Sequence, residues 1–190
     1  EELVDAIEYA HLYGVKVYVT VNIIIYENEL DEVIEYIDFL YRHQVDALIM
    51  QDIGLISLVR RKFPNMEIHA STQCHNHNKG SLELFKNLGV TRVVMDRELS
   101  IDEIKNIDVD IEKEIFIYGA LCVCYSGCCL FSSLNGGRSG NRGECAQCCR
   151  LPYKKSKDGK YQYLLSTKDL NALNYLGEYI DAGINCFKIE

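Results

Sequence analysis

Two hydrophobic patterns alternate along this chain. Short runs rich in aliphatic, aromatic and β-branched residues predict strands at residues 15–23, 45–52, 66–73, 90–96, 113–121, 161–166 and 185–190. Between them, apolar residues recur every three or four positions, which predicts helices at 2–13, 28–43, 56–63, 79–88 and 168–181 and a short helix that begins at Ser100. This alternation indicates right-handed β–α–β units and a parallel sheet.

The pattern suits either an open doubly wound sheet or part of an eight-stranded barrel. Polar residues or glycine occur where most of the strands end, at Asn22, Gln51, Asp52, Thr72, Gln73, Arg97, Glu98 and Gly119. Strand ends are often polar simply because they meet solvent. In a barrel, however, these positions converge on the face where active sites lie. We therefore favour a TIM-barrel-like α/β repeat, and the length allows one domain over residues 1–190.

Composition and charge exclude several classes of protein. The net charge is −8, which argues against non-specific nucleic-acid binding through the overall field. The first residues are acidic and amphipathic, unlike a signal peptide, and no apolar run approaches the roughly 18 residues of a membrane span. These features predict a cytoplasmic protein with no membrane partner.

Seven of the nine cysteines fall in one short segment, at Cys122, Cys124, Cys128, Cys129, Cys145, Cys148 and Cys149. An odd number cannot pair completely into disulfides, and a reducing compartment keeps thiols free, so metal ligation is favoured. Cys145 forms a zinc-like pair with Cys148 or Cys149. The first group is irregularly spaced, which iron–sulfur clusters tolerate. Spacing alone leaves zinc and iron–sulfur open.

Two further groups carry weaker signals. Residues 138–160 hold seven basic side chains against Glu144 and Asp158, and such a patch either binds phosphate or is a solvated loop. The glycine-rich loop at 136–143 lacks the Gly-Lys-Ser/Thr of a phosphate-binding motif. A second metal site is suggested by four residues of one short stretch, His69, Cys74, His75 and His77. Histidines in a strand-to-helix loop are, however, more often simply polar.

The segment 114–132 resembles the signature of peptidase family U32, the collagenase-like proteases. The matching residues are Glu114, Phe116, Gly119, Ala120, Leu121, Cys122, Gly127, Cys129 and Ser132. Phe131 stands where a smaller aliphatic residue is expected, and Cys148 where proline is common. The blocks TVNI, HASTQ, DREL and LLSTKDLN also resemble this family, so the resemblance covers essentially the whole chain.

The resemblance implies a TIM-barrel-like catalytic domain that is truncated here. Family members usually begin with a strand carrying an LAPAG-type motif, so two strands are expected before Glu1. A glycine-arginine motif usually follows the final KIE. We therefore expect a piece of a longer protein that lacks the first strands of its barrel.

The family's name comes from reported proteolysis, whereas several members are implicated in hydroxylating a tRNA wobble uridine, ribosomal RNA or ubiquinone precursors. Some of these carry a [4Fe-4S] cluster on four cysteines. Position by position, the resemblance makes Cys122, Cys129, Cys145 and Cys149 the ligands. It does not require the other three cysteines of the segment.

Three functions remain open. An iron–sulfur enzyme would hydroxylate RNA, with Gln73, Arg97 and Glu98 in its pocket and with phosphate held by Arg138, Arg142 and Arg150. A peptidase would act on a peptide through zinc or through a cysteine, Cys122 or Cys129, beside a histidine. A zinc-stapled structural domain would leave catalysis to another part of the protein. We favour the hydroxylase.

Overall fold

Five parallel strands follow one another across a single curled sheet. The computed structural model describes residues 2–190. The strands are β1 Tyr18–Val21, β2 Ala47–Met50, β3 Glu67–Ala70, β4 Arg92–Val94, β5 Glu112–Gly119, β6 Leu170–Asn171 and β7 Cys186–Ile189. The helices are α1 Glu2–Leu12, α2 Leu30–Arg42, α3 Ile53–Lys62, α4 Lys79–Asn87, α5 Ile101–Lys105, α6 Phe131–Gly136 and α7 Leu176–Asp181.

The sheet continues beyond β5 in two ways. β7 pairs with β5 in parallel, with Cys186 opposite Glu114. β6 pairs antiparallel with the last residues of β5, Tyr118 and Gly119. Strand, helix and parallel strand therefore repeat as the sequence pattern predicts. The predicted α/β fold is confirmed, and the curled sheet is consistent with a truncated barrel.

One face of the sheet packs against the helices and forms the apolar core. Leu48 of β2 and Ile68 of β3 are fully buried against residues such as Leu40 of α2 and Leu55 of α3. Because side chains alternate along a strand, the neighbouring positions face away from this core. Truncating one of these buried leucines to alanine costs about 2–5 kcal/mol through lost burial and a residual cavity.

The opposite face carries paired charges. The Arg92 guanidinium lies 2.8 Å from Glu112 and 3.4 Å from Glu114, and the Lys188 ammonium lies 3.2 Å from Glu114. The ring nitrogen of the fully buried His69 lies 2.9 Å from Glu67, and because burial lowers the pKa of His69 this contact is a hydrogen bond of the neutral ring. Charges removed from water need such partners, because an unpaired one would be strongly destabilising.

Side-chain caps fix where the helices begin. The Asp52 carboxylate accepts a hydrogen bond from the amide of Leu55, so α3 begins at Ile53, three residues before the predicted start. Ser100 and Glu103 form a reciprocal cap at the start of α5, the short helix predicted to begin at Ser100.

The last third of the chain departs from the prediction. The predicted strand 161–166 is wrong: only an isolated bridge joins Gln162 to Tyr153. The predicted helix 168–181 is wrong in its first half, because Leu170 and Asn171 pair with β5 instead. The Asn171 side chain then accepts from the amide of Leu173. The second departure arises from a long-range partner that local periodicity does not reveal.

Gly119, at the end of β5, should resist substitution. Its φ is +122°, and a Cβ there would lie 1.6 Å from the carbonyl oxygen of Glu190. Gly119→Ala should therefore lower the free energy of unfolding by about 2 kcal/mol or more through backbone strain and displacement of the chain after β7. Urea denaturation measures this. Gly177→Ala in α7, where the added methyl meets open space, is the control and should change stability by no more than about 1 kcal/mol. Equal effects would contradict the close approach.

Candidate functional site

A cavity of about 290 Å³ opens between the ends of the strands and the cysteine-rich segment, residues 122–149. Side chains from the sheet line one side of it, among them Thr20, Ile49, Val94 and Phe116. The cysteine-rich segment lines the other side with five of its seven cysteines, Cys122, Cys124, Cys129, Cys145 and Cys149. The four cysteines predicted as ligands therefore share one cavity, whereas Cys128 and Cys148 do not line it.

A polar contact seats the first half of the cysteine-rich segment on the sheet. The Glu98 carboxylate accepts a hydrogen bond of 2.9 Å from the amide of Ser126. The Ser126 hydroxyl in turn accepts one of 3.3 Å from the hydroxyl of Thr72. Next to it, Gly127 has φ +74°, and a Cβ there would lie 2.4 Å from the carbonyl oxygen of Gln73. The signature glycine is thus required by backbone packed on backbone.

Ser132 organises the second half of the segment. Its buried hydroxyl accepts from the amide of Ala146 at 3.0 Å and lies 3.9 Å from the sulfurs of Cys145 and Cys148. The amide of Gln147 also donates to the Cys145 sulfur, at 3.4 Å. These contacts bring the segment's two groups of cysteines together across the glycine-rich loop.

Neighbouring thiols influence one another's titration. Burial raises the pKa of the Cys149 thiol, and nearby Cys122 and Cys145 raise it further, against the opposing charge of Arg150. Burial also raises the pKa of Cys124, whose sulfur lies beside Cys129. Thiols with raised pKa values keep their protons near neutral pH unless a cation displaces them. Metal binding here would therefore release protons.

A single metal ion and a four-iron cluster place different demands on the donor set. Within residues 2–190, no three His, Cys, Asp or Glu side chains converge closely enough to hold one metal ion. A structural zinc needs four donors at about 2.0–2.3 Å from one centre. A four-iron cluster is larger and takes four thiolates spread around it. Cys122, Cys129, Cys145 and Cys149 line one cavity and would supply these four thiolates, an assignment that stays a prediction.

Two of the three predicted pocket residues line the cavity. Gln73 and Arg97 do so, and each has a buried atom without a hydrogen-bond partner among residues 2–190, namely Gln73 Oε1 and Arg97 Nε. The Arg97 guanidinium also stacks 4.1 Å from the centre of the Phe116 ring and donates to Glu190 at 2.7 Å. Glu98 does not line the cavity, since its carboxylate holds Ser126.

The three arginines predicted to bind phosphate lie outside the cavity lining and hold loops in place. Arg138 donates to the carbonyl of Glu144 at 3.1 Å. Arg142 binds the Glu29 carboxylate at 2.7 Å and lowers the pKa of Glu29 to about 2. Arg150 donates to the carbonyls of Leu121 and Thr167 and to the hydroxyl of Ser166. Their role in substrate binding stays a prediction.

The suggested second metal site does not form among the described residues. His69 pairs with Glu67, and Cys74 donates to the carbonyls of Met50 and Gln51. Burial raises the pKa of Cys74 to about 12. The other two histidines have separate partners, at 3.7 Å from Cys128 for His75 and 3.2 Å from Asp96 for His77. The interpretation of this stretch as a metal site is therefore wrong.

Sequence reasoning missed two cavity residues in the last strand region, Lys188 and Glu190. Lys188 lies 5.8 Å from the centre of the Phe116 ring, on the side of the sheet that carries Glu114. The available signal was their two-residue spacing, which places both on one face of an extended chain.

The Peptidase family U32 model matches residues 1–190. The chain belongs to this family. Two relatives are named for RNA modification: a 23S rRNA 5-hydroxycytidine C2501 synthase from Escherichia coli (strain K12) and tRNA hydroxylation protein P from Haemophilus influenzae. The first is 43% identical over 100% of this chain and 30% of its own length. The second is 46% identical over 78% of this chain and 33% of its own length.

A solved structure of the U32 peptidase Mk0906 shares the fold, with a TM-score of 0.55 over 63% of this chain and 52% of that chain. At 16% identity, this similarity supports the fold alone. The chain spans about a third of the length of the two relatives named above. None of the described helices has the length and hydrophobicity that crossing a membrane requires.

The ion pair between Glu29 and Arg142 should hold the glycine-rich loop against α2. Glu29→Gln should speed hydrogen exchange in residues 136–144, measured by mass spectrometry, because the guanidinium loses its charged partner. Glu32→Gln, an exposed change in the first turn of α2, is the control. Because folding depresses the pKa of Glu29 from 4.5 to about 2, wild-type protection should be complete above pH 4.5 and lost as the pH falls towards 2. Loss already complete at pH 4.5 would contradict the ion pair.

Proposed function

We propose that this chain is the cofactor-binding part of an enzyme that hydroxylates a base in RNA, with the wobble uridine of tRNA as its specific substrate. In this proposal Cys122, Cys129, Cys145 and Cys149 hold a [4Fe-4S] cluster. The observation that carries it is that these four thiols share one cavity with the unpartnered atoms of Gln73 and Arg97. The names of the two RNA-modifying relatives support the substrate class.

The reaction constrains what the cavity must admit. Replacing a base C–H bond by C–OH is a two-electron oxidation: with water as the oxygen source, the products are the hydroxylated base, two protons and two electrons. An oxygen-atom donor, or water with a two-electron acceptor, must therefore enter as a co-substrate. A bound [4Fe-4S] cluster supplies one-electron transfer at a potential set by its surroundings.

The chain's own residues would position the base. Arg97 Nε can only donate a hydrogen bond, and Gln73 Oε1 can only accept one. A pyrimidine presents neighbouring donor and acceptor groups on its edge, so it can satisfy both orphaned atoms. Unpaired buried polar atoms cost about 1–3 kcal/mol each, which a matching base would recover. Such an enzyme would work where RNA is available, so the predicted cytoplasmic location belongs to this proposal.

The ligand assignment predicts which cysteines are needed. After anaerobic purification, the full-length protein should contain about four irons and four sulfides per chain, with broad visible absorbance. Serine substitution at Cys122, Cys129, Cys145 or Cys149 should remove most of the iron. Cys128→Ser and Cys148→Ser, outside the cavity lining, are the matched controls and should retain it.

Stoichiometric zinc without iron would contradict the cluster and would favour a peptidase or a zinc-stapled domain. Iron lost from Cys148→Ser but kept in Cys149→Ser would overturn the choice of ligands.

The positioning roles of Gln73 and Arg97 can be separated from cofactor binding. Gln73→Ala and Arg97→Met should lower the rate of RNA hydroxylation about 10- to 100-fold, because each removes one hydrogen bond to the base. Iron content and the visible spectrum should stay unchanged. Nucleoside mass spectrometry measures the product. Full hydroxylation by both variants would contradict these roles.

A peptidase is the second candidate, and one contact favours it. The exposed Cys128 sulfur lies 3.7 Å from Nδ1 of His75, and a thiol beside an imidazole is the pair that nucleophilic proteolysis requires. The predicted nucleophiles, Cys122 and Cys129, line the cavity instead. Cys128→Ala should leave RNA hydroxylation intact under the favoured proposal. Protease activity that disappears in this variant would support the second candidate.

A further inference from the structure

We propose that residues 153–163, the basic arm, bind unpaired RNA beside the cavity through lysine contacts to phosphate and tyrosine stacking on bases. The inference rests on the proposed RNA-modifying function and assigns it a binding surface. It also replaces the three predicted arginines as the main phosphate contacts, since their guanidinium groups are engaged within the protein.

The basic arm is a short hairpin-like excursion. Tyr153 and Gln162 exchange two backbone hydrogen bonds of 2.7 and 2.8 Å. Between them the chain reverses, with the amide of Gly159 donating to the carbonyl of Ser156 at 3.1 Å. Its two sides are thus tied together while its side chains remain available to a partner.

The charge of the basic arm is concentrated and unpaired. It carries four exposed lysines, Lys154, Lys155, Lys157 and Lys160, and a single acidic residue, Asp158. The chain as a whole has a net charge of −8. Within residues 2–190, no carboxylate lies within 4 Å of any of these four ammonium groups. A phosphate backbone is attracted to such a patch, and its neutralisation releases counterions.

Two tyrosines flank Gln162 on the returning side of the arm and are unusually open to solvent. Tyr161 and Tyr163 are 68% and 67% exposed. They lie on either side of Gln162, the residue that is bridged to Tyr153. Lys154 lies 4.6 Å from the centre of the Tyr161 ring, so cation and ring already act together. Exposed rings interleaved with lysines are the surface that single-stranded nucleic acid needs, because bases stack on the rings while phosphates meet the charges.

The root of the arm connects it to the cavity. The Tyr153 hydroxyl donates to the carbonyl of Cys148 at 2.7 Å, and its ring stacks on Phe131 with centres 6.4 Å apart. Cys149, the next residue, lines the cavity. An RNA strand bound to the basic arm would therefore lie beside the cavity that a base would enter. An acidic protein segment would use the lysines but would gain nothing from flat stacking on Tyr161 and Tyr163, so RNA is favoured.

The charge contribution can be tested with a matched pair of double variants. Binding of the full-length protein to a short, unstructured fluorescent oligouridylate is titrated at several salt concentrations. The K155Q/K157Q variant should bind more weakly, with a salt slope smaller by about 1.4, because two phosphate contacts on a single strand are lost. The R61Q/K62Q variant removes the same charge from the exposed end of α3 and should bind as the wild type does.

The stacking contribution is tested in the same assay. Tyr161→Leu and Tyr163→Leu should each weaken binding about fivefold or more with an unchanged salt slope, since stacking on one base is lost. Tyr13→Leu, an exposed tyrosine of the segment after α1, is the control. Equal binding of polyglutamate peptide, with no effect of the tyrosine changes, would overturn RNA in favour of an acidic protein partner. Unchanged binding in both the lysine and tyrosine variants would overturn the surface itself.

These outcomes are separable from failure of the proposed function, because binding is measured without turnover. If the protein binds RNA through the arm but neither holds iron nor hydroxylates RNA, this inference stands and the proposed enzymatic function is wrong. If the arm variants bind RNA and hydroxylate it as the wild type does, the proposed enzymatic function stands and this inference is wrong.

Discussion

The candidate site depends on how the cysteine-rich segment is seated on the strand ends. A single carboxylate, Glu98, holds the amide of Ser126, and Gly127 packs its backbone against that of Gln73. Without this contact, the cysteines on the two sides of the glycine-rich loop would not be packed against the strand ends. The seat also brings Gln73 and Arg97 to the thiols. Under the proposed function, cofactor ligation and substrate positioning would therefore be coupled through one small polar interface.

Charge is divided between the sheet and the basic arm in a way that suits the proposed RNA substrate. The carboxylates of the open face, Glu112 and Glu114, are neutralised by Arg92 and Lys188. Although the chain is acidic overall, these carboxylates on the open face do not present unpaired negative charge to the cavity. Unpaired positive charge is instead gathered on the basic arm, whose root adjoins Cys148. An acidic protein can thus present one local surface to RNA.

Most of the repeating fold could be predicted because its signals are local. The apolar run that ends at Met50 and the reciprocal cap of Ser100 with Glu103 each depend on neighbours in sequence. The late start of α7 could not be predicted, because it requires Leu170 and Asn171 to pair with β5. Likewise, Arg142 looked free in sequence, since its partner Glu29 lies 113 residues away.

The candidate site was predictable only in part. The four cysteines came from a family resemblance, and the structure places them around one cavity, although their role as ligands stays a prediction. Glu98 was chosen because it follows a strand, but a strand-end position does not reveal whether a carboxylate faces a cavity or anchors a loop. The suggested histidine site failed for a similar reason: residues adjacent in sequence turned to separate partners.

The most direct test of the central claim is nucleoside mass spectrometry of RNA from cells that lack the full-length protein, complemented with the wild type or with Cys129→Ser. The account predicts that a hydroxylated pyrimidine disappears without the protein, returns with the wild type and stays absent with the variant. Full restoration by Cys129→Ser would contradict the claim that this cavity and its thiols carry out the hydroxylation. No loss of any hydroxylated base without the protein would contradict the proposed substrate class as well.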